Sequence, residues 1–233
     1  MKRSLCIVVA CLLLTWTALA AHSKRAVTAD GDVVLLGGEM LEGERVCESF
    51  TLPRGVIAYA RADLRVVAKG PISIEGTLVC LPSESGADGP HVFLRSATSV
   101  AVTGFVHGAP GRSYDAEPDG ALGVPGGGGS NIVIEAPEVG VSGTIVAGNG
   151  GCAGRGGRGG QGGSVLAIGI PMDIGDLGPP SYGRASISGA GGPAGPADRR
   201  VDGGTPAVGG NGGSAGSFRT RDQVPDGLRA LLD

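Results

Sequence analysis

The chain has 233 residues, of which 46 are glycine and 15 are proline. That proportion is typical of low-complexity sequence. However, 41% of the residues are hydrophobic and 18% are charged, whereas a disordered chain needs low hydrophobicity and high net charge. Aromatic residues make up 3%, which argues against an aromatic base-stacking surface, and the formal net charge of −3 gives no basis for binding nucleic acid. We expect a fold built on small and β-branched residues.

The first 20 residues have the features of a secretory signal peptide. A basic start at Lys2 and Arg3 precedes the apolar run 5–14, and Ala18-Leu19-Ala20 has the small-x-small form of a cleavage site, with cleavage after Ala20. We therefore predict export to the periplasm, the cell surface or the medium, with no transmembrane segment in the mature chain.

Two alternatives to simple cleavage are open. A membrane anchor needs about 20 apolar residues, but Thr15 and Thr17 interrupt the run. Val8-Val9-Ala10-Cys11 resembles a bacterial lipobox, which would place a lipid on Cys11. Cys11 stands early in the apolar run, so cleavage without lipidation is favoured.

Three cysteines follow the signal peptide, namely Cys47, Cys80 and Cys152. Because exported proteins meet an oxidising compartment, a Cys47–Cys80 disulfide is predicted, and its loop would contribute about 3–4 kcal/mol in the chain-entropy model. The alternative is that all three are small buried hydrophobic residues. The sequence has no Cys-x-x-Cys pair, so no zinc site is predicted.

One pattern occurs four times along the chain. Each copy alternates apolar and other residues and then reaches a glycine, and a second short alternating segment precedes it. The glycine-containing copies are 72–78, 100–106, 139–145 and 185–190, and the preceding segments are 64–66, 92–94, 132–134 and 165–168. A period of two indicates half-buried strands.

Repeated short strands without helices between them indicate a solenoid. We predict an all-β fold, a short right-handed parallel β-helix whose units stack and share an apolar interior. An antiparallel sandwich, which also uses short alternating strands, is the alternative. The repeated glycines are Gly76, Gly104, Gly143 and Gly189, and their growing separation predicts insertions of increasing length.

The insertions are rich in Gly-Gly-x triplets. They cover residues 83–90, 108–129, 148–163 and 189–216. Such tracts are either flexible spacers or polyglycine-II-like segments with three residues per turn, packed side by side where only glycine fits. Partial ordering of the second kind is favoured.

Four regions are therefore expected. Residues 1–20 are the signal peptide, 21–44 an N-terminal segment or cap, 45–224 the β-helix with its insertions, and 225–233 a short C-terminal helix. In the tail, Leu228, Leu231 and Leu232 follow Asp226 at helical spacing. The helix is expected to cover the last unit and protect its open edge.

Two stretches carry a resemblance to a known group. One runs from Phe50-Thr51-Leu52 through 64–66 to 72–78, and the other joins Ser130-Asn131-Ile132-Val133-Ile134-Glu135-Ala136-Pro137 to 141–145 and a Gly-Gly-x tract. Over residues 45–217 the chain resembles glycine-rich exported right-handed β-helix proteins of Gram-negative bacteria. The resemblance implies an adhesin-like surface or envelope protein and carries over no catalytic residue.

One acidic group is a weak candidate for calcium. Asp115, Glu117 and Asp119 alternate before Gly120, like the first half of a calcium loop. Pro118 interrupts the pattern, and Gly126 stands where a bidentate glutamate belongs. A solvated acidic loop is favoured, so no metal or cofactor is predicted.

The sequence favours a structural or adhesion module without catalysis, with polysaccharide or envelope components as partners. The alternative is a polysaccharide-processing lyase or hydrolase, which needs several carboxylates on one outer sheet. The equivalent outward positions are Glu75, Thr103 and Ser142, of which one is acidic. Asp173 and Asp176 are the other acidic pair considered.

Overall fold

The computed structural model describes residues 31–83, 88–114, 124–153, 158–169, 215–218, 221–229 and 232. These residues are nearly all β. The strands are β1 Val33–Val34, β2 Met40–Cys47, β3 Phe50–Leu52, β4 Ile57–Ala68, β5 Ile72–Ile74, β6 Thr77–Cys80, β7 Val92–Ser96, β8 Ser99–Val102, β9 Phe105–His107, β10 Ile132–Ala136, β11 Glu138–Val141, β12 Thr144–Val146, β13 Val165–Gly169 and β14 Ala215–Phe218. A 3₁₀ turn covers Arg221–Gln223, and an α-helical turn, α1, covers Asp226–Arg229.

All pairings recorded between these strands are parallel, which confirms the parallel prediction and disagrees with an antiparallel sandwich. They form a five-stranded and a nine-stranded sheet, which we divide into three ladders, and β2 pairs with both parts of β4 at the start of ladders B and C. Ladder A has the order β1-β3-β5-β8-β11. In ladder B, residues 57–60 of β4 pair with β6, followed by β9 and β12. In ladder C, residues 64–68 of β4 pair with β7, followed by β10, β13 and β14.

The chain visits the three ladders in turn. After β5 in ladder A come β6 in ladder B and β7 in ladder C, and then β8, β9 and β10 repeat the circuit one level further. We call each circuit a rung. Parallel partners in neighbouring rungs are therefore equivalent repeat positions, such as Ile74, Val102 and Val141.

The inward side chains of the rungs form one core. In most of the strands, such as β3 to β8, alternate residues are buried, as period two predicts, and the inward residues form one large hydrophobic cluster. Its large fully buried members include Leu52, Ile74, Leu94, Ile134 and Ile145. The interior thus depends on aliphatic residues stacked rung upon rung.

The repeated glycines stack where the chain passes from ladder A to ladder B. A Cβ on Gly104 would lie 2.0 Å from the Gly76 carbonyl oxygen, and a Cβ on Gly143 would lie 2.0 Å from the Gly104 carbonyl oxygen. A side chain does not fit between the backbones here. The repeat glycines are explained by this close approach. The fourth copy, 185–190, lies outside the described residues.

The described parts of the glycine-rich insertions are held by backbone hydrogen bonds. We call residues 108–114, 124–130, 147–153 and 158–164 the first to fourth glycine segments. The first donates from Gly108, Gly111 and Tyr114 to the carbonyls of residues 146, 149 and 152, at 2.7, 2.9 and 3.0 Å. Donors and acceptors both recur every third residue, which is the period of the polyproline-II helix.

The other segments are bonded in the same way. The second donates to the first and the fourth, the third to the second, and the fourth to the third. In each bonded pair of segments, successive donors are three residues apart and so are successive acceptors. For example, Gly148 and Gly151 donate to Ser130 and Gly127 at 3.0 and 2.7 Å. The polyglycine-II-like alternative therefore describes these residues better than the flexible-spacer alternative does.

The C-terminal residues pack on the outside of ladder C. We call residues 221–229 and 232 the clasp. Its Val224 and Leu232 are buried against Val133, Leu166 and Ile168. The clasp lies on an outer face of ladder C whose outward residues here are apolar, and the expectation that the tail also covers the last unit stays a prediction. Leu231 lies outside the described residues.

The predicted Cys47–Cys80 disulfide is not formed in the structure, where both residues are buried free thiols. Cys47 lies opposite Ala68 in ladder C, whereas Cys80 lies opposite Ala60 in ladder B. They stand two rungs apart, about 10 Å at the usual strand spacing, and a disulfide needs Cα atoms within about 7 Å. The buried-hydrophobe alternative fits both residues.

In the part of the chain that is described, no helix has the length and apolar character needed to cross a membrane.

Candidate functional site

The outward faces of the three ladders differ in composition. Ladder A presents small residues at its centre, namely Thr51, Ser73, Ala101 and Gly140, with Val34 on its first strand and Glu138 on its last. Ladder C presents charged residues beside the apolar patch that the clasp covers. The paired segments of ladder B carry no charged outward residue, lie away from the residues that the clasp covers, and expose the larger apolar side chains Ile57 and Phe105, so we take ladder B as the candidate face for an external partner.

We define the open face as the outward positions of four strand segments in ladder B. The pairing register places them in two rows that run across the rungs. The first row is Ile57, Thr77, Phe105 and Thr144, and the second row is Tyr59, Val79, His107 and Val146. None of these residues is Asp, Glu, Lys or Arg.

The open face exposes apolar and aromatic groups to solvent. Phe105 is 49% exposed and Ile57 is 44% exposed. Both side chains are outward because strand alternation buries their neighbours, Val106 and Ala58, in the core. Ile57 and Phe105 lie in one row, on either side of Thr77, and they are the most exposed apolar side chains of the open face.

Two rings lie side by side on β9. The Phe105 and His107 ring centroids are 6.1 Å apart, with an angle of 17° between the ring planes. Residues two apart on a strand share a face, which brings the two rings next to each other. Tyr59 stands in the row of His107, two rungs away.

A second polar feature lies under the clasp. Glu135 is 6% exposed. Its carboxylate accepts two hydrogen bonds from the Arg221 guanidinium, of which Nη2 to Oε2 is 3.0 Å, and Arg95 Nε lies 3.5 Å from Oε2. Paired in this way, Glu135 attaches the clasp to ladder C.

The space beside Glu135 is small. It is lined by Arg65, Phe93, Arg95, Glu135 and Leu232 among others, with a volume of about 20 Å³. That volume holds about one water molecule. A sugar ring or a cofactor does not fit there.

The buried cysteines have thiols of low reactivity. Burial is the main cause that raises the pKa of Cys80 to about 11, and burial also raises the pKa of Cys47. Since the thiolate is the reactive form, both thiols are poor nucleophiles at neutral pH. Neither is a candidate catalytic residue.

The structure places only some of the residues singled out in the sequence. Glu75, Thr103 and Ser142 are equivalent, as predicted, because each precedes a stacked glycine and its amide donates to the strand one rung away. Asp115, Glu117 and Asp119 lie outside the described residues, as do Asp173, Asp176, Cys11 and Ala20. Within the described residues, no group of three or more His, Cys, Asp or Glu is arranged to hold a metal ion.

Sequence reasoning did not find the open face. The signal was present in the outward positions of the repeat, where uncharged residues recur at 77, 79, 105, 107, 144 and 146. Those positions alternate with core residues in any half-buried strand. Which outer face stays uncovered depends on where the clasp packs.

No protein-family model, curated protein or solved structure matches this chain.

Proposed function

We propose that the protein is an exported right-handed parallel β-helix that serves as an adhesion or binding module at the cell surface or in the surrounding matrix. The proposal of a β-helix is supported by the order in which the chain visits the three ladders. The right hand is the one that strand twist favours for parallel crossovers. The features of residues 1–20 support export.

The open face carries the proposal of binding. It is a contiguous outer surface over four rungs, with apolar side chains exposed and with no Asp, Glu, Lys or Arg among its eight residues. Keeping such a surface in water is unfavourable by about 25 cal/mol per Å² of apolar area. A partner that covers it would recover this free energy.

The glycine segments support that role mechanically. The first and third segments continue directly from β9 and β12, the strands that carry Phe105 and Thr144. Because these segments are bonded to one another, they limit the motion of one end of the open face. A preorganised surface loses less conformational entropy on binding.

Attachment to cells of the producing organism tests this function. The variant F105S, made in the chain that begins at Ala21, is expected to attach about tenfold more weakly or worse, as for other central aromatic contacts. The matched control is V34S, which also shortens an exposed apolar side chain: Val34 is 53% exposed and lies on ladder A. Attachment is measured by pelleting cells with labelled protein over a concentration series.

The control is expected to attach like the wild type. If circular dichroism shows that the wild type and F105S are both folded and the two attach equally well, the open face is not the contact surface.

A further inference from the structure

We propose that the open face binds a neutral glycan chain whose sugar rings lie against its aromatic side chains. This inference rests on the proposed function of the open face and specifies its ligand. A sugar ring has an apolar face of C–H groups and a rim of hydroxyl groups. A site for it therefore needs flat apolar platforms with polar groups placed beside them.

The aromatic side chains provide the platforms. Phe105 and His107 form a stacked pair on β9, with ring centroids 6.1 Å apart and 17° between their ring planes. Tyr59 is a third ring, two rungs from His107 in the same row, which is about 10 Å at the usual strand spacing. Aromatic faces carry partial negative charge and attract the partially positive hydrogens of C–H groups.

Threonine hydroxyls provide the polar groups. Thr77 and Thr144 are the pairing partners of Phe105 on its two sides, so one ring lies between two hydroxyl-bearing residues. A hydroxyl is both a donor and an acceptor and rotates to suit its partner. Sugar hydroxyls at the edge of a ring stacked on Phe105 would meet these groups.

The absence of charge indicates a neutral chain. An acidic polysaccharide would bring carboxylates against eight outward residues of which none is Lys or Arg, and removing an ion from water without a partner is costly. The nearest charged positions along the chain, Arg61 and Glu75, lie outside the two rows. The two rows themselves therefore offer no cation to pair with the carboxylates of a polyanion.

The size of the face argues against a second copy of the protein as occupant. Four paired segments of three residues cover about 19 Å by 10 Å, or roughly 200 Å². A stable protein interface buries about 800 Å² on each partner. A single glycan chain laid across the rungs is narrow enough to be matched by the open face alone.

Titration calorimetry of the chain beginning at Ala21 tests the inference. The probes are soluble neutral oligosaccharides of glucan, mannan and galactan, with polygalacturonate as the anionic comparison. We expect at least one neutral probe to bind and polygalacturonate not to bind. F105A and Y59A should each weaken binding about tenfold or more, T77V and T144V about two- to tenfold, and the control V34A should bind like the wild type.

Three results would overturn the inference. They are the failure of every neutral probe to bind, binding of polygalacturonate as strong as that of the neutral probes, and binding that is unchanged in F105A and Y59A. Light scattering adds a fourth, a dimer of the wild type that F105D dissociates, which would identify a second copy as the occupant. If F105S lowers cell attachment while no glycan binds, the binding function stands and the glycan assignment fails.

Discussion

G148A is expected to lose about 3 kcal/mol of unfolding free energy, at the upper end of the usual cost of overpacking. A Cβ at this position would lie 1.8 Å from the Ala109 carbonyl oxygen and 2.4 Å from the Ser130 amide nitrogen. Both atoms are backbone, and the Ser130 amide donates to that same carbonyl at 3.0 Å. Moving this backbone would break hydrogen bonds between the segments. We therefore expect the alanine to separate the third glycine segment from its neighbours.

Urea unfolding followed by circular dichroism measures this effect, with G140A as the matched control. Gly140 lies in β11, and a Cβ there would meet no atom within 4 Å. Replacing it is expected to stabilise by about 0.5 kcal/mol, because alanine has less freedom in the unfolded chain. If G148A and G140A both have the same urea midpoint of unfolding as the wild type, the glycine segments are not packed as described.

E135Q is expected to lower the free energy of unfolding by about 2 kcal/mol, the usual contribution of a hydrogen bond to a charged group. The substitution keeps the shape of the side chain but removes the charge that faces Arg221 and Arg95. At 6% exposure, Glu135 gains little screening from water. The clasp should loosen and uncover Val133, Leu166 and Ile168, which a hydrophobic dye such as ANS would detect.

The matched control is E48Q, which breaks the exposed Lys69–Glu48 ion pair at 2.7 Å. Exposed ion pairs contribute about 0–1 kcal/mol to stability, so E48Q is expected to lower the free energy of unfolding by less than about 0.5 kcal/mol. An equal loss in the two variants, or an unchanged dye signal in E135Q, would show that Glu135 does not hold the clasp.

The rungs could be predicted from the sequence because two local signals agree. Period-two alternation marks which side chains enter the core, and Gly76, Gly104 and Gly143 mark the corner at which the backbones approach most closely. Both signals depend on short segments and survive insertions of any length. The resemblance to exported β-helix proteins stays a prediction.

The packing of the insertions and the clasp depends on distant partners. A Gly-Gly-x tract has the composition of a flexible spacer whether or not its amides find carbonyls three residues apart on a neighbour. For the clasp, a signal existed in β10 and β13. Val133 and Leu166 are apolar at outward positions, and strands apolar on both faces are typical of sheets covered on both sides.

The contact between methyl groups in neighbouring rungs tests the central claim most directly. In ladder A, parallel pairing in the described register places Ile72 opposite Val100 and Ile74 opposite Val102. Nuclear Overhauser spectroscopy on methyl-labelled protein should therefore show cross-peaks for 72–100 and 74–102, and for Val102 with Val141 one rung further. Strong cross-peaks for 72–102 and 74–100 instead would mean antiparallel neighbours, and the stacked rungs and the open face would both be wrong.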